Sequence, residues 1–332
     1  MKRPKILVVG SLVMDLIVSG ESIPEAGETR MGRTFSMLPG GKGANQAVQA
    51  ARLGAEVTMF GKVGDDDFGK RLIASVEKSG VNTNHISITH AAPTAIGNVW
   101  IQSHAAGTEN RILVVPGANM DITPGDVETL KETIADFDIV ILQNEIPMEI
   151  NVILARYAQA AGVPVMLNPA PAAEIPAQLI SCLTYLSPNE QETKALVGVK
   201  PEGEECCKAA ADKLLQMGVK NVLITLGKHG CVFHDGESMI RSGSIDCGRV
   251  VDPTAAGDSF IGAFSTAITA GVSIREALLF ANCTAGITVT RLGAQASLPD
   301  FQEVIHIMKE KGYDVNPYLY GENGFTEKVY SN

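Results

Sequence analysis

The chain of 332 residues is long enough for one large α/β domain or two smaller ones, and its 45% content of apolar residues allows a substantial core. Acidic residues outnumber basic residues, 37 to 27, and the net charge of −10 without any basic block argues against a nucleic-acid partner. No apolar stretch approaches the length needed to span a bilayer, so we expect no membrane association.

The amino-terminal run MKRPKILVVGSLVMDLIVSG combines basic residues with apolar ones, as a secretory signal does. Asp15 interrupts the apolar run, which favours a first β-strand over a signal peptide. The six cysteines form no C-x-x-C pair and no zinc-like spacing with histidine. These features predict reduced thiols and a cytoplasmic protein.

Short apolar runs alternate with longer helical patterns along the chain. In chain order the runs are KILVVG, VTMFGKVG, IVILQNE, PVMLNP, LTYLSPNE and NVLITLG. Because they are apolar on both faces, they predict buried, mostly parallel strands with crossover helices, an α/β doubly wound fold. Ligands bind beyond the carboxyl ends of such strands. The small and polar residues predicted at that edge are Gly10-Ser11, Gly64-Asp65, Asn144-Glu145, Asn168, Asn189 and Thr225-Gly227.

Two regions interrupt the strand-helix alternation, residues about 15–38 and about 94–116. The second reads as two strands joined by a polar turn, and together they predict a small β-sheet lid over the strand ends. No linker separates independent domains, so we expect residues 1–312 to form one domain. Residues 313–332 form a tyrosine-rich extension that either docks on a folded surface or stays extended. Its tyrosines are Tyr313, Tyr318, Tyr320 and Tyr330.

The segment LPGGKGANQA, residues 38–47, has the glycines and lysine of a nucleotide phosphate loop. That loop ends in Gly-Lys-Ser/Thr, whereas Lys42 is followed by Gly43. Its first glycine would also fall at position 36, which is serine. The segment therefore needs another role.

The segment VVDPTAAGDSFIGAFSTAITAG, residues 250–271, predicts a strand end followed by a helix. Ala255, Ala256 and Gly257 lie at the helix start, where unpaired amides and small side chains form an anion hole. Asp258 in the same turn is either a simple helix-capping carboxylate or a general base beside a bound phosphate.

This segment resembles the carboxyl-terminal signature of the ribokinase-like (PfkB) sugar kinases, Asp-x-x-x-Ala/Gly-Gly-Asp. GGKGANQA is similar to the amino-terminal signature of the ribokinases within that family. LNPAP, SPNEQE, VLITLG and VTRLGAQAS also match and follow in the family's order. The resemblance covers the chain from Lys5 to about residue 310.

The resemblance implies an ATP-dependent kinase for the 5-hydroxyl of a free pentose, D-ribose or 2-deoxy-D-ribose. It also implies Mg²⁺, a monovalent cation such as K⁺, and a homodimer formed through the lid, where apolar residues including Val99 and Ile101 could be exposed. Two alternatives remain open: a kinase for another small sugar or a nucleoside, and a non-catalytic sugar-binding regulator. The intact Asp258 argues against the regulator, because a binding protein needs no base.

The family's residue roles carry over to matching positions. Asp258 would be the catalytic base, with Ala255, Ala256 and Gly257 supplying the anion hole. The implied sugar-binding residues, besides Asp258, are Asp15, Gly41, Lys42, Asn45 and Glu145. The implied nucleotide and magnesium residues are Asn189, Glu192, Thr225, Gly227, Gly230 and Asn282, although Asn189 and Glu192 alone could be a helix cap. The implied monovalent-cation residues are Asp252, Thr254, Thr288, Arg291, Gly293 and Ser297.

Val13 departs from the family pattern. Ribokinases commonly carry a sugar-contacting asparagine two residues before the aspartate that matches Asp15, and valine cannot hydrogen-bond a hydroxyl. An unpaired buried polar group costs about 1–3 kcal/mol. We therefore hypothesise that the enzyme accepts 2-deoxyribose well in comparison with ribose.

Overall fold

The computed structural model describes residues 3–104 and 107–318. The strands are β1 (Lys5–Val9), β2 (Val13–Gly20), β3 (Thr34–Gly40), β4 (Glu56–Gly64), β5 (Asn82–Thr89), β6 (Ala95–His104), β7 (Gly107–Val115), β8 (Ile139–Gln143), β9 (Val165–Asn168), β10 (Tyr185–Leu186), β11 (Asn221–Thr225), β12 (Cys231–His234) and β13 (Met239–Ser242). They form a 9-stranded sheet and a 4-stranded sheet.

The helices divide into two layers around the larger sheet. They are α1 (Lys42–Arg52), α2 (Asp67–Lys78), α3 (Leu130–Thr133), α4 (Met148–Ala160), α5 (Ala177–Ile180), α6 (Glu190–Val197), α7 (Gly203–Gln216), α8 (Ala256–Thr269), α9 (Ile274–Thr288) and α10 (Phe301–Glu310). Within residues 3–104 and 107–318, none is long and apolar enough to cross a bilayer.

The larger sheet has the order β13-β12-β11-β10-β9-β8-β1-β4-β5. From β5 to β11 every neighbouring pair is parallel, and β12 and β13 continue the sheet as antiparallel strands. The predicted mostly parallel sheet is therefore confirmed. Its carboxyl edge gathers the residues that follow β1, β8, β9, β10 and β11.

Strand β1 shows why these apolar runs have no polar face. Ile6 and Val8 belong to a core shared with α1, α2, α8, α9 and α10. Leu7 and Val9 point to the opposite side, into a core shared with α3, α4, α5 and α7. Alternate side chains of one strand are thus buried under different helical layers, as expected of a doubly wound sheet.

The smaller sheet has the order β3-β2-β6-β7, with β2 and β6 parallel and the outer strands antiparallel to them. It confirms the predicted small second sheet. Strand β3 runs directly into α1, so this sheet is attached at the carboxyl edge of the larger one. We call it the lid.

The exposed apolar side chains of the lid differ from those expected. Val99 and Ile101 on β6 are half-buried. The exposed apolar residues of the lid lie instead on β2, β3 and β7. They are Val18, Phe35, Met37, Ile112, Leu113, Val114 and Val115.

The start of the tyrosine-rich extension packs on α9. Tyr318 is fully buried, its ring stacks on Phe280 with centroids 5.0 Å apart, and its hydroxyl donates to the Glu276 carbonyl at 2.9 Å. Tyr313 is exposed. Tyr320 and Tyr330 lie outside the described residues. The sequence left open whether the extension docks or stays extended, and its first residues dock on the folded surface as far as Tyr318.

Candidate active site

Helix α1 begins where the lid meets the larger sheet. Its N-cap, Gly41, has φ 94°, a left-handed conformation that favours glycine. A Cβ at Gly43 would lie 2.6 Å from the carbonyl carbon of Gly10 and from the nitrogen of Ser11. Glycine at both positions therefore lets the start of α1 pack against the end of β1. This close packing is the local role of the segment LPGGKGANQA.

Helix α8 begins with a backbone conformation that residue propensity would not predict. Ala255, its N-cap, has φ 60° and ψ 7°, although it carries a Cβ. The amides of Ala255, Gly257 and Asp258 donate no hydrogen bond to any residue that the structure describes. The Ala256 amide, which was also expected to be unpaired, instead donates to the Pro253 carbonyl at 3.2 Å, within the turn that precedes the helix. A Cβ added at Gly257 would meet nothing within 4 Å. The helix start is thus an open group of unpaired donors, as an anion hole requires.

Asp258 lies just inside this helix start and is 6% exposed. Its Oδ2 accepts a hydrogen bond from Asn45 Nδ2 at 2.9 Å, and its Oδ1 accepts one from Gln46 Nε2 at 2.9 Å. Burial raises the pKa of Asp258, while the nearby Lys42 ammonium and the two amide donors oppose that rise. A buried carboxylate with an elevated pKa is suited to accept a proton.

A cavity of about 190 Å³ joins Asp258 to the helix start. Its lining includes Lys42, Asn168, Asn189, Glu192, Thr225, Ala255, Gly257 and Asp258. Burial acts to lower the pKa of Lys42, but the carboxylates of Asp258, Glu145 and Glu192 outweigh it and hold that pKa above its ordinary value. The cavity therefore contains a firmly protonated lysine beside the unpaired amides, which suits a polyanion.

Asn189 and Glu192 form the helix cap considered from the sequence, and both also line the cavity. The Glu192 carboxylate accepts from the Asn189 backbone N–H and from its side-chain Nδ2, each at 2.8 Å. Burial raises the pKa of Glu192. Within the described residues no group of three or more His, Cys, Asp or Glu could hold a metal. One anchored carboxylate fits Mg²⁺, which usually binds one or two carboxylates together with substrate phosphates.

Asp15 on β2 and Glu145 after β8 lie near enough to Asp258 for the three carboxylates to influence one another. Cβ atoms at Gly40 and Gly97, on the strands flanking β2, would overlap the Asp15 carboxylate, so glycine at both positions makes room for it. No described residue donates a hydrogen bond to that carboxylate. Burial, reinforced by Glu145 and Asp258, raises the pKa of Asp15 to about 7. Glu145 is anchored by the Ser11 hydroxyl and by the Lys42 backbone N–H, the latter at 3.1 Å.

Val13 shares a face of the lid with Asp15, because the two residues are two apart on β2. A Cβ at Gly97 would lie 3.7 Å from Val13 Cγ1 and against the Asp15 carboxylate, so both side chains border one spot. Val13 is 5% exposed. The position therefore places an apolar side chain beside an unpaired carboxylate.

The residues expected to contact the nucleotide are only partly gathered at the cavity. Thr225 lines it, and its N–H donates to the Pro188 carbonyl at 3.0 Å. Gly227 and Gly230 flank the next turn, with φ 50° and 83°. Asn282 on α9 is buried, and its Nδ2 donates to the Ser242 hydroxyl at 3.0 Å. These last three residues are not among the lining residues of the cavity.

The residues expected to bind a monovalent cation lie on two linked loops. Asp252 accepts from the Thr254 N–H and from the Gly293 N–H, both at 2.9 Å, which ties the loop before α8 to the loop after α9. The side chains of Thr288 and Ser297 donate to Thr284 and Ala294 carbonyls, and Arg291 pairs with Glu303. The carbonyls of Asp252, Thr254, Arg291 and Gly293 accept no hydrogen bond from any described residue. Such free carbonyl oxygens suit a hard cation.

Some residues of the site were not singled out from the sequence. The sequence places Ser11 and Asn168 at strand ends without indicating a role, and it indicates none for Gln46 or Gln143. A buried glutamine on a helix or at a strand end is usually a satisfied core residue, so its type carries no signal. Only the fold brings these amides under Asp258.

The unpaired Asp15 carboxylate predicts a pH-dependent stability. Between about pH 4 and pH 7 the folded state keeps a proton on Asp15 that the unfolded chain has released, so this group lowers stability as pH rises and does so fully above about 7. Asp15→Asn should therefore raise the melting temperature at pH 8 by about 2–6 °C, and this gain should shrink below pH 5. Scanning fluorimetry at both pH values measures it. An equal gain at both values would contradict the charge argument.

The groups at the carboxyl edge of the larger sheet suit one kind of reaction. The unpaired amides of α8 can receive an anion beside the Asp258 carboxylate, and an anion site next to a proton acceptor is what transfer of a phosphoryl group to an alcohol requires. Together with the doubly wound fold and its lid, it defines a small-molecule kinase of the α/β class.

Comparison with known proteins identifies the family. The model of the pfkB family carbohydrate kinases matches residues 3–300, and the chain belongs to that family. It is 40% identical over 304 residues to the ribokinase of Bacillus subtilis, covering 91% of this chain and 99% of that protein. It is 32% identical over 299 residues to the deoxyribokinase of Salmonella typhi, covering 90% and 96%. The structure of Arabidopsis thaliana ribokinase complexed with ribose and ATP has TM-score 0.86 and 36% identity, covering 93% of this chain and 99% of that one.

Proposed function

We propose that this protein transfers the γ-phosphoryl group of ATP to the 5-hydroxyl of a free pentose, D-ribose or 2-deoxy-D-ribose. The observation that carries the proposal is Asp258, buried and hydrogen-bonded, in one cavity with the unpaired amides of α8. Relatives named ribokinase and deoxyribokinase, and a related structure that holds ribose and ATP, support the choice of substrates.

In this mechanism the sugar binds between the lid and Asp258. The Asp15 carboxylate accepts hydrogen bonds from sugar hydroxyls, which favours its ionised form, and Asn45 and Glu145 offer further polar groups. Asp258 accepts the proton of the attacking 5-hydroxyl as that oxygen bonds to the γ-phosphorus, the bond from the γ-phosphorus to the β-phosphate oxygen breaks, and ADP leaves. The unpaired amides of Ala255, Gly257 and Asp258, at the positive end of α8, stabilise charge on the transferred group. Lys42 lines the same cavity and adds a positive charge.

Two cations belong to the proposal. Asn189 and Glu192 would hold hydrated Mg²⁺ that neutralises the phosphates when bound. The free carbonyl oxygens of Asp252, Thr254, Arg291 and Gly293 would hold K⁺, and the side-chain hydrogen bonds of Thr288 and Ser297 would fix the backbone around them. The hydrogen bond between Asp252 and Gly293 would transmit the order of that site to the start of α8.

We also propose that a second copy of this chain covers the exposed lid. Cross-strand register places Val18 with Phe35 on one face, and Asn98 with Leu113 on that same face. The apolar side chains of Val18, Phe35 and Leu113 are exposed in the single chain. Exposed apolar surface of this kind marks an association surface. Sedimentation velocity of the whole chain tests the pairing.

The function is tested by measuring ADP production with a panel of sugars and nucleosides, with and without potassium. We expect turnover with ribose or 2-deoxyribose, little with hexoses or nucleosides, and higher activity when potassium replaces a bulky organic cation at equal ionic strength. Omission of sugar is the control. Sugar binding by calorimetry without any sugar-dependent ADP would instead favour a regulator, and turnover of a nucleoside alone would refute the choice of a free pentose.

A further inference from the structure

A chain of side-chain amides runs beneath Asp258. Gln46 Nε2 lies 2.9 Å from Asp258 Oδ1 and 3.2 Å from Asn168 Oδ1, and donates to both. Gln143 Nε2 donates to Gln46 Oε1 at 2.7 Å. Asn168 Nδ2 donates to the Ser187 carbonyl at 3.0 Å. The chain thereby ties α1 and the ends of β8, β9 and β10 to the proposed base.

The contacts leave Gln46 a single amide orientation. If its amide turned over, Oε1 would face the acceptor oxygens of Asp258 and Asn168, while Nε2 would face the donor Nε2 of Gln143. Gln46 and Gln143 are both fully buried. A Cβ at position 10 would overlap the Gln143 side chain, so Gly10 leaves the room that Gln143 occupies.

The two donors to Asp258 are therefore unequal. The Oδ1 of Asn45 is buried without a partner, so this amide can accept a hydrogen bond from a sugar hydroxyl while its Nδ2 donates to Asp258. Gln46 cannot turn without losing its bonds to Gln143 and Asn168. It holds Asp258 Oδ1 in place and leaves Oδ2, shared only with Asn45, to the attacking hydroxyl.

The charges around Asp258 make a fixed donor important. In the part of the chain that the structure describes, Lys42 on α1 is the positive group near it, whereas Glu145 after β8, Asp15 on β2 and Glu192 on α6 are carboxylic acids. Burial and like charges disfavour the ionised carboxylate that a base requires. A hydrogen bond from Gln46 favours that ionised form.

We propose that Gln46 is a positioning residue for phosphoryl transfer, which orients the Asp258 carboxylate and keeps it ionised through an amide fixed by Gln143 and Asn168. This inference rests on the proposed function of Asp258 as the base.

The test is Gln46→Met, which keeps side-chain length and removes the donor. With the preferred pentose, kcat should fall about tenfold or more, and the acidic limb of its pH profile should move up by about one pH unit. The KM for the pentose should stay within about threefold. Gln49→Met is the matched control, since Gln49 is buried on the same helix but donates to the Pro299 carbonyl at 2.9 Å. It should leave the pH profile unchanged.

A second variant keeps the test decisive if Gln46→Met does not fold, as judged by circular dichroism. Gln143→Met leaves Gln46 bonded to Asp258 and Asn168 but removes the donor to its Oε1, so the amide is held less firmly and the profile should shift in the same direction by a smaller amount. A folded Gln46→Met or Gln143→Met enzyme with the wild-type pH profile would overturn the positioning role. Absence of pentose-dependent ADP from the wild-type enzyme would instead refute the proposed function.

Discussion

Asp258→Asn should lower kcat by about 10²–10⁴-fold, the usual contribution of a general base, while sugar binding is retained. The variant keeps the shape of the side chain and removes its ability to take a proton. Its oxygen can accept from Gln46, and its new NH₂ group can donate to Asn45 once that amide turns over. The fold should therefore tolerate the change, because the turned Asn45 oxygen, which is unpaired in the wild type, gains a donor.

The measurement is kcat from ADP production, set beside sugar affinity from calorimetry and a melting temperature. Asp126→Asn is a suitable control, because Asp126 also accepts short bonds, from Lys62 Nζ and the Thr123 N–H at 2.7 Å each, but does not line the cavity. That control should lose stability and keep kcat. An Asp258→Asn enzyme that turns over at the wild-type rate would remove Asp258 from the role of base.

The buried parallel strands could be predicted because their apolar runs are unambiguous. The sequence pattern does not predict strands β5, β12 and β13, and in each case the failure has a physical reason. The β5 sequence NTNHISIT is largely polar, as suits an edge strand exposed on one side. The hairpin of β12 and β13 consists of two strands of 4 residues, too short for a clear periodicity.

The active site likewise has features that the sequence predicts and features that it does not. Glycines and small residues at the start of α8 predict an anion hole, since helix ends have unpaired amides whatever the rest of the fold. The left-handed conformation of Ala255 could not be predicted, because nothing in an alanine indicates φ 60°. Gln46 and Asn168 are 122 residues apart, and only the order of the strands brings them together. Long-range contacts between neutral amides leave no local pattern.

Position 13 is where the identity of the sugar should be decided. In the wild-type enzyme we expect kcat/KM for 2-deoxyribose to equal or exceed that for ribose. Val13 offers an apolar surface beside Asp15, and a ribose 2-hydroxyl buried there without a partner would cost about 1–3 kcal/mol. Val13→Asn supplies a donor and an acceptor at that place. It should raise the ratio of kcat/KM for ribose over 2-deoxyribose by about tenfold to a hundredfold.

Two further variants separate a local contact from a general disturbance of the lid. Val13→Thr conserves volume and adds one hydroxyl, so it should shift the ratio in the same direction by less. Val18→Asn is the control on the same strand. Because Val18 is an odd number of residues from Val13, its side chain points to the opposite face of the lid. The ratio of kcat/KM for ribose over 2-deoxyribose in this variant should therefore match that of the wild type. A large wild-type preference for ribose that Val13→Asn leaves unchanged would show that the side chain at position 13 does not contact the 2-hydroxyl of the sugar. A ratio shifted equally by Val13→Asn and Val18→Asn would assign the effect to lid stability instead.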